Sequence, residues 1–204
     1  MTKYYKFLTK CHRGPFSDFD YTEYLPKDDR PGPWLPLIDE QSLVLCSVGY
    51  HACTKEYLLD WPNTTLWQVE FSGQPIGDFN KVVGCQIRFV KQIKTWNERT
   101  VRLFAVEIAR MLLSRVGTPD AYVVNIVNMA EKCANGGIDY AALLSLAGTV
   151  ALTVNLHGDH CNELIVRGVT ARPPYYAEVA RLAFFGGGGY SKCADILCKM
   201  LEIE

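Results

Sequence analysis

Residues 43–71 carry the densest set of chemically capable side chains in this chain. Cys46 and Cys53 flank His51, and a thiol beside an imidazole is the pairing that nucleophilic cysteine catalysis uses. Cys53 also comes just before a predicted short helix, whose N-terminus would stabilise a thiolate. No feature that would stabilise an oxyanion accompanies these residues, so the sequence favours packing roles for both cysteines.

A second cluster combines His157, His160 and Cys161, three potential metal ligands close together in sequence. Zinc favours His and Cys ligands in tetrahedral sets. Further ligands are poorly placed, because Cys193 and Cys198 are spaced so that they do not share one face of a predicted helix. The chain also has no Cys-x-x-Cys pair. The sequence therefore predicts an interhelical loop here and no metal site.

The elements that position the first cluster follow from residue types within 43–71. A β-prone run opens the segment, and Gly49 permits a turn that a side chain would resist. Thr54 is a predicted helix N-cap, and Pro62 ends that helix. The expected order is strand (43–46), turn, short helix and strand (66–71).

The rest of the N-terminal half predicts strands at 4–8 and 81–90, the latter with alternation of period two. Between the first strand and residue 43 lies a long loop that prolines keep from forming a helix. It holds too many aromatic residues for a solvated linker, so we expect residues 14–36 to cover one face of the sheet. These aromatic residues are Phe16, Phe19, Tyr21, Tyr24 and Trp34.

The C-terminal half predicts helices. Asn97 is the expected N-cap of the first, and Thr118, followed by Pro119, the expected N-cap of the second. An uncharged helix begins at Asp139, and its apolarity on all sides places it centrally among the others. Ser191 is the expected cap of the last helix.

Strands in the first half and helices in the second predict an α+β fold. We expect a small, mainly antiparallel sheet packed with a C-terminal bundle of about five helices. The predicted domains are an α+β module with the long aromatic loop (1–95) and a helical bundle (96–204).

Composition fits a cytoplasmic globular protein. The hydrophobic content is 49%, the charged content 21% and the formal net charge −1. That charge gives no global field for nucleic acid or an anionic membrane. The N-terminus lacks a signal-peptide pattern, and the uncharged run at 140–156 is too short for a membrane-spanning helix. We expect the eight cysteines to be free, as in a reducing compartment.

Several short motifs, in this order, resemble a family of uncharacterised proteins from bacteria and their phages. They are YKFL, GPFSDFDYTEY, PGPWLP, LCSVGYHACT, LWQVEFSG, NKVVGCQIRFV and WNERT, and they cover nearly half of the chain. The later segment AEKCANGGIDYAALLSLAG is similar to the helical domain that accompanies this module, and to a class of immunity proteins from bacterial toxin systems. The resemblance implies a fold and little chemistry.

The order of strand, long loop, strand-turn-helix and paired strands also looks like the split-sheet core of ADP-ribosyltransferases. That likeness implies an NAD cleft, with catalytic roles for His12, Tyr50, His51 and Glu70. A fixed carboxylate would stabilise the developing oxocarbenium ion. The structural alternative is that Tyr50 and His51 brace the turn and that Glu70 faces solvent. No triad spacing diagnostic of such enzymes is present.

The absence of a complete catalytic constellation favours a small accessory or interaction protein that binds a protein partner. The family resemblance implies a role in phage–host conflict or immunity. This leading hypothesis needs no cofactor, membrane or nucleic acid, whereas the alternative, an ADP-ribosyltransferase-like enzyme, needs NAD. Aromatic side chains commonly anchor interfaces, so the predicted binding residues lie in the long loop. They are Phe19, Tyr21, Tyr24 and Trp34.

Overall fold

The computed structural model describes residues 2–78, 80–115, 120–157, 160–171, 177–186 and 190–203. The chain divides into two compact units, Met1–Trp96 and Asn97–Glu204. The first holds two three-stranded antiparallel sheets and the second is helical. The predicted α+β fold class is confirmed.

The first sheet has the strand order β1-β3-β6. These strands span Tyr4–Leu8, Thr65–Phe71 and Ile87–Gln92. In the antiparallel register of β1 and β3, Tyr4 faces Val69 and Leu8 faces Thr65. Strands β1 and β3 confirm the predictions of strands at 4–8 and 66–71. Both segments are rich in aromatic and other apolar residues that suit a half-buried sheet.

The second sheet has the order β2-β5-β4 and is built from short strands. The strands are Tyr50–Ala52 (β2), Ile76–Asp78 (β4) and Lys81–Gly84 (β5). The prediction of one continuous strand over 81–90 is wrong, since β5 and β6 belong to different sheets. Gly84 marks the break, where a Cβ atom would lie 2.4 Å from the Phe71 ring. The alternation of residue types with period two continues across this break, so the sequence pattern gives no sign that the strand ends at Gly84.

Residues 43–46, predicted as a strand, form part of a tight turn. The backbone amide of Val44 donates to the carbonyl of Val48 at 3.0 Å, and the reverse bond is 2.9 Å. Cys46 lies within the turn with φ of 70°, in the left-handed region. The strand begins only at Tyr50, after Gly49. The predicted short helix exists as a 3-10 helix, Lys55–Asp60, although Thr54 makes no side-chain capping bond.

The long aromatic loop covers one face of the first sheet, as predicted. Tyr21, Leu25 and Leu35 are buried in one core cluster with side chains of β3 and β6, including Trp67 and Phe89. Residues 32–38 run beside β6 and hydrogen-bond to its backbone and to Cys85, two residues before it. These bonds are Gly32 N to Phe89 O at 2.8 Å, Leu35 N to Ile87 O at 2.9 Å and Ile38 N to Cys85 O at 3.0 Å.

Six α-helices are described in the second unit. They are Glu98–Leu113 (α1), Ala121–Ala134 (α2), Tyr140–His157 (α3), His160–Val169 (α4), Ala177–Gly186 (α5) and Tyr190–Leu201 (α6). Asn97 caps α1 as predicted, since its side chain accepts from the Thr100 amide at 3.1 Å. Asp120 caps α2, whereas Thr118 and Pro119 lie outside the described residues. Ser191 lies inside α6 and is not its N-cap.

The uncharged helix α3 is not central over its described side chains, 140–149. Leu143 and Ala147 are buried, but Leu144 is 45% exposed and most neighbouring positions face solvent. The prediction of a central helix is therefore wrong for residues 140–149, where many of the apolar residues are small and only one stripe is covered. No helix among the described residues is long and apolar enough to cross a membrane.

Arg102 is the buried charged side chain of the described helices, at 2% exposure. Its guanidinium donates to Glu98 at 2.7 Å and to the backbone carbonyl of Val169 at 3.3 Å. It also lies 4.9 Å from the Tyr140 ring centroid. One side chain of α1 therefore contacts both α3 and the end of α4, and its charge is compensated as a buried charge requires.

Candidate functional site

A cavity of about 440 Å³ opens in the N-terminal unit, a size typical of small-molecule sites. It lies where β1 meets β2, two strands that belong to different sheets. The Tyr5 amide donates to the Cys53 carbonyl at 2.8 Å, and the Cys53 amide donates back at 2.9 Å. This bridge joins the two sheets at the cavity, and the loop at 14–17 and the turn at 46–49 also line it.

Lys6 extends into the cavity from β1. Its Nζ donates to the backbone carbonyl of His51 at 2.8 Å and lies 5.1 Å from the centroid of the Tyr21 ring. Among the described residues, no carboxylate pairs with this ammonium. Burial lowers the pKa of Lys6 to about 8, and the nearby Cys53 thiol opposes that shift only in part. At pH 7.5 about a quarter of the Lys6 amine is therefore neutral and the rest is still an ammonium, whereas an ordinary lysine is almost fully protonated.

A second ammonium enters from β5. Lys81 Nζ lies 2.6 Å from the Sγ of Cys46 and 5.4 Å from the Trp61 ring centroid. Trp61 in turn packs edge-to-face against Phe16, with centroids 5.9 Å apart. Phe16 is 85% exposed, so this pair of rings forms an apolar rim beside a positive charge.

His51 lies between the two lysines and ties the cavity wall together. Its Nε2 accepts a hydrogen bond from the Cys46 amide at 3.0 Å, so the neutral ring carries its proton on Nδ1. Burial, followed by repulsion from Lys6 and Lys81, lowers the pKa of His51. The imidazole is therefore neutral at pH 7, and it braces the turn at 44–48.

Two further titratable groups of the cavity, Cys53 and Tyr21, are neutral near pH 7. Burial raises the pKa of the Cys53 thiol to about 12, and burial raises that of Tyr21 to about 12 as well. The thiolate pairing considered for Cys53 and His51 is disfavoured, because a thiol with that pKa is not a nucleophile near pH 7. Cys46 is exposed, in contrast, and all eight cysteines are free as predicted.

The charge of the cavity has one sign. Among its described lining residues, the lysine pair Lys6 and Lys81 supplies cations and no Asp or Glu is present. Five aromatic residues also line it, namely Tyr5, Phe7, Phe16, Tyr21 and Trp61. Cations without internal counter-charges beside apolar rings are suited to hold an anionic group attached to a flat apolar body.

Of the four residues expected in an NAD cleft, His51 alone lines this cavity. His12 is half-buried with its ring 6.2 Å from that of Trp67. Tyr50 is 7% exposed, and its hydroxyl donates to the Pro36 carbonyl at 2.9 Å. Glu70 forms an ion pair with Arg88 on the neighbouring strand. The described structure does not bring these four side chains into one cleft.

The four aromatic residues expected to bind a partner are divided between core and surface. Tyr21 is 4% exposed and belongs to the core, and Tyr24 packs against that cluster. Phe19 keeps 40% exposure and Trp34 keeps 36%. The guanidinium of Arg88 lies 4.7 Å from the Trp34 ring centroid. Tyr21 is therefore part of the hydrophobic core, and the residues of this set that are exposed to solvent are Phe19 and Trp34.

No group of His, Cys, Asp and Glu within the described residues is arranged to hold a metal ion. The side chains of His157 and His160 lie outside the described residues, and Cys161 is exposed. Cys193 is buried, with its Sγ 3.5 Å from the carbonyl of Ala183.

Lys6 and Lys81 were missed by sequence reasoning. A signal existed for Lys6, because it interrupts the otherwise apolar strand Tyr4–Leu8. Lys81 gave no comparable signal, since its approach to Cys46 depends on the turn and on strand β5 pairing with β2. Comparison with known proteins adds no assignment: no family profile, curated protein or solved structure matches this chain.

Proposed function

We propose that this protein acts by binding, and that the cavity of its N-terminal unit takes a small anionic molecule. The observation that carries this proposal is the pairing of Lys6 and Lys81 in a cavity whose described lining has no carboxylate. An unpaired ammonium in a partly covered site is costly, and an anionic ligand relieves that cost.

The ligand is a molecule with one anionic group and one flat apolar part. Lys81 and Trp61 lie side by side at 5.4 Å, and Phe16 extends the same rim. A carboxylate or phosphate would be held by the ammonium groups while the flat part packs against the rings. The cavity volume of 440 Å³ accommodates a molecule of that kind.

The test is a panel of small aromatic anions, such as phenyl phosphate, with matched neutral analogues such as benzyl alcohol. Binding is read by ligand-observed NMR and by protection of the exposed Cys46 thiol from alkylation. We expect the anions to bind to the wild type. Lys81→Gln should lower their affinity by roughly tenfold or more, because it removes a charge-assisted hydrogen bond. Lys10→Gln, at an exposed lysine outside the cavity, is the matched control.

Added salt should weaken the binding of the anions and leave the binding of the neutral analogues unchanged, because only the anions are held by charge. Neutral analogues that bind as well as the anions, or anions that bind Lys81→Gln as well as the wild type, would overturn the proposal.

A second candidate is binding of a protein partner through the exposed aromatic residues. Its support is the exposure of Phe19 and Trp34, and the family resemblance would place it in phage–host conflict or immunity. A folded Phe19→Ser, Trp34→Ser variant should recover less partner in a pull-down from the source cell extract. Equal recovery by the two proteins would remove this surface from consideration.

A further inference from the structure

The lowered pKa of Lys6 is a property of the cavity that anion binding alone does not explain. A simple anion site needs a permanent cation, and Lys81 already supplies an ammonium at the rim. Lys6 instead lies deep enough for burial to bring its pKa to about 8. At about pH 7.5, such an amine has a neutral fraction roughly 200-fold larger than that of an ordinary surface lysine.

The position of Lys6 leaves its nitrogen open to the cavity. Its described hydrogen bond goes to the His51 carbonyl at 2.8 Å, which uses one N–H and leaves the nitrogen lone pair of the neutral amine unused. No carboxylate among the described residues holds the amine in its charged form. The Tyr21 ring, whose centroid lies 5.1 Å from the amine nitrogen, presents its face and keeps its phenol neutral.

A neutral, partly desolvated lysine in a cavity is the arrangement that forms imines with carbonyl compounds. We propose that the cavity binds a small anionic aldehyde or ketone and that Lys6 bonds covalently to its carbonyl carbon. This inference rests on the proposed anion binding and adds a carbonyl group to the ligand.

The bond-forming steps balance without an oxidant or reductant. The lone pair of the neutral Lys6 amine attacks the carbonyl carbon, and a nitrogen proton moves to the carbonyl oxygen to give a carbinolamine. The hydroxyl group then leaves with the second nitrogen proton as water, and a C=N bond remains. Lys81 is placed to hold the anionic group of the same molecule at the rim during these steps.

Pyridoxal 5′-phosphate is a suitable probe, since it carries an aldehyde, a phosphate and an aromatic ring. The full-length protein is incubated with it, reduced with borohydride and mapped by peptide mass spectrometry. We expect the reduced adduct on Lys6 at roughly tenfold or greater excess over the exposed Lys10, in keeping with the larger neutral fraction. Lys6→Arg should lose that adduct, and Lys10→Arg should keep it.

Two analogues separate this inference from the anion proposal. Pyridoxine 5′-phosphate keeps the ring and phosphate but has no carbonyl, so it should protect Cys46 and compete with the adduct without forming one. Pyridoxal lacks the phosphate and should label Lys6 less. Protection of Cys46 without any Lys6 adduct would overturn the imine and leave anion binding standing. Adduct spread evenly over exposed lysines, with no protection of Cys46, would overturn both.

Discussion

The Nζ atom of Lys6 and the carbonyl oxygen of His51 lie 2.8 Å apart, although 45 positions separate the two residues in sequence. Lys6 belongs to the first sheet and His51 to the second, so the bond spans the junction that the Tyr5–Cys53 bridge forms. The same two residues line the cavity. One pair of residues therefore links the two sheets and lines the cavity.

Lys6 should give the protein a distinct alkaline stability profile. Its pKa is about 8 in the folded state against 10.5 for an ordinary lysine, so burial of the ammonium destabilises the fold below pH 8. Between the two pKa values the unfolded chain binds the extra proton, and stability rises with pH. We expect the free energy of unfolding of wild type relative to Lys6→Met to rise by about 1–2 kcal/mol over that interval, a figure reduced for partial solvent screening.

Urea unfolding of the wild type and of Lys6→Met at several pH values measures this difference. Groups that titrate in both proteins contribute equally to the two free energies, so their contributions cancel. Lys10→Met is the control and should show no such slope, because Lys10 is exposed. A flat difference between pH 8 and pH 10 for Lys6→Met would contradict the lowered pKa of the partly buried Lys6.

Glu70 tests the catalytic assignment made from sequence. It pairs with Arg88 on β6, and both side chains keep a third or more of their surface exposed. Such pairs contribute little, so Glu70→Gln should cost less than about 1 kcal/mol and should not change phenyl phosphate binding. Incubation with labelled NAD should give no nicotinamide release from either protein. Release by the wild type that Glu70→Gln abolishes would restore the transferase alternative.

Local sequence patterns predicted the elements that local physics determines. The strand Tyr4–Leu8 is a run of β-prone residues, and Asn97 and Asp139 have the side-chain chemistry of helix caps. The cover of the sheet by the aromatic loop was predictable in part, since Tyr21 and Tyr24 pack at the core, whereas the other aromatic residues of the loop keep exposed rings. These predictions needed no knowledge of distant contacts.

Elements decided by long-range pairing could not be predicted in this way. Residues 43–46 have strand-forming types, but the Val44–Val48 bridge closes a turn there and His51 fixes it through the Cys46 amide. The cavity was hidden for the same reason. Its two lysines come from strands of different sheets, and their separation in sequence gives no sign that they meet.

Gly49 should be intolerant of any side chain. Its φ is 125°, and a Cβ atom there would lie 2.3 Å from a Val83 methyl group and 2.9 Å from Leu43. Gly49→Ala adds backbone strain to overpacking, so it should cost roughly 2–4 kcal/mol. Gly73→Ala is the matched control, because a Cβ at Gly73 meets nothing within 4 Å. Thermal unfolding of the two variants compares them directly, and equal melting temperatures would refute the placement of this turn.

His51 should behave as a brace whose loss affects stability and binding together. His51→Ala removes the acceptor of the Cys46 amide, and because that amide is exposed and water can replace the acceptor, the cost should be about 0.5–1.5 kcal/mol. The turn carries Cys46 and faces Lys81, so anion binding should weaken along with the melting temperature. His51→Gln, whose amide oxygen can accept the same bond, should recover both properties in part.

The stability of the protein at acidic pH provides a second test of the role of His51. Burial and the two lysines lower its folded pKa below the ordinary 6.5, so the unfolded chain takes up the proton first as the pH falls. The stability that His51 contributes is fully present above about pH 6.5 and is lost as the pH falls toward the folded pKa, since a protonated ring cannot accept from the Cys46 amide. The stability difference between wild type and His51→Gln should therefore narrow below pH 6.5. A His51→Ala variant with wild-type stability and no anion binding would show that the imidazole contacts the ligand and does not brace the turn.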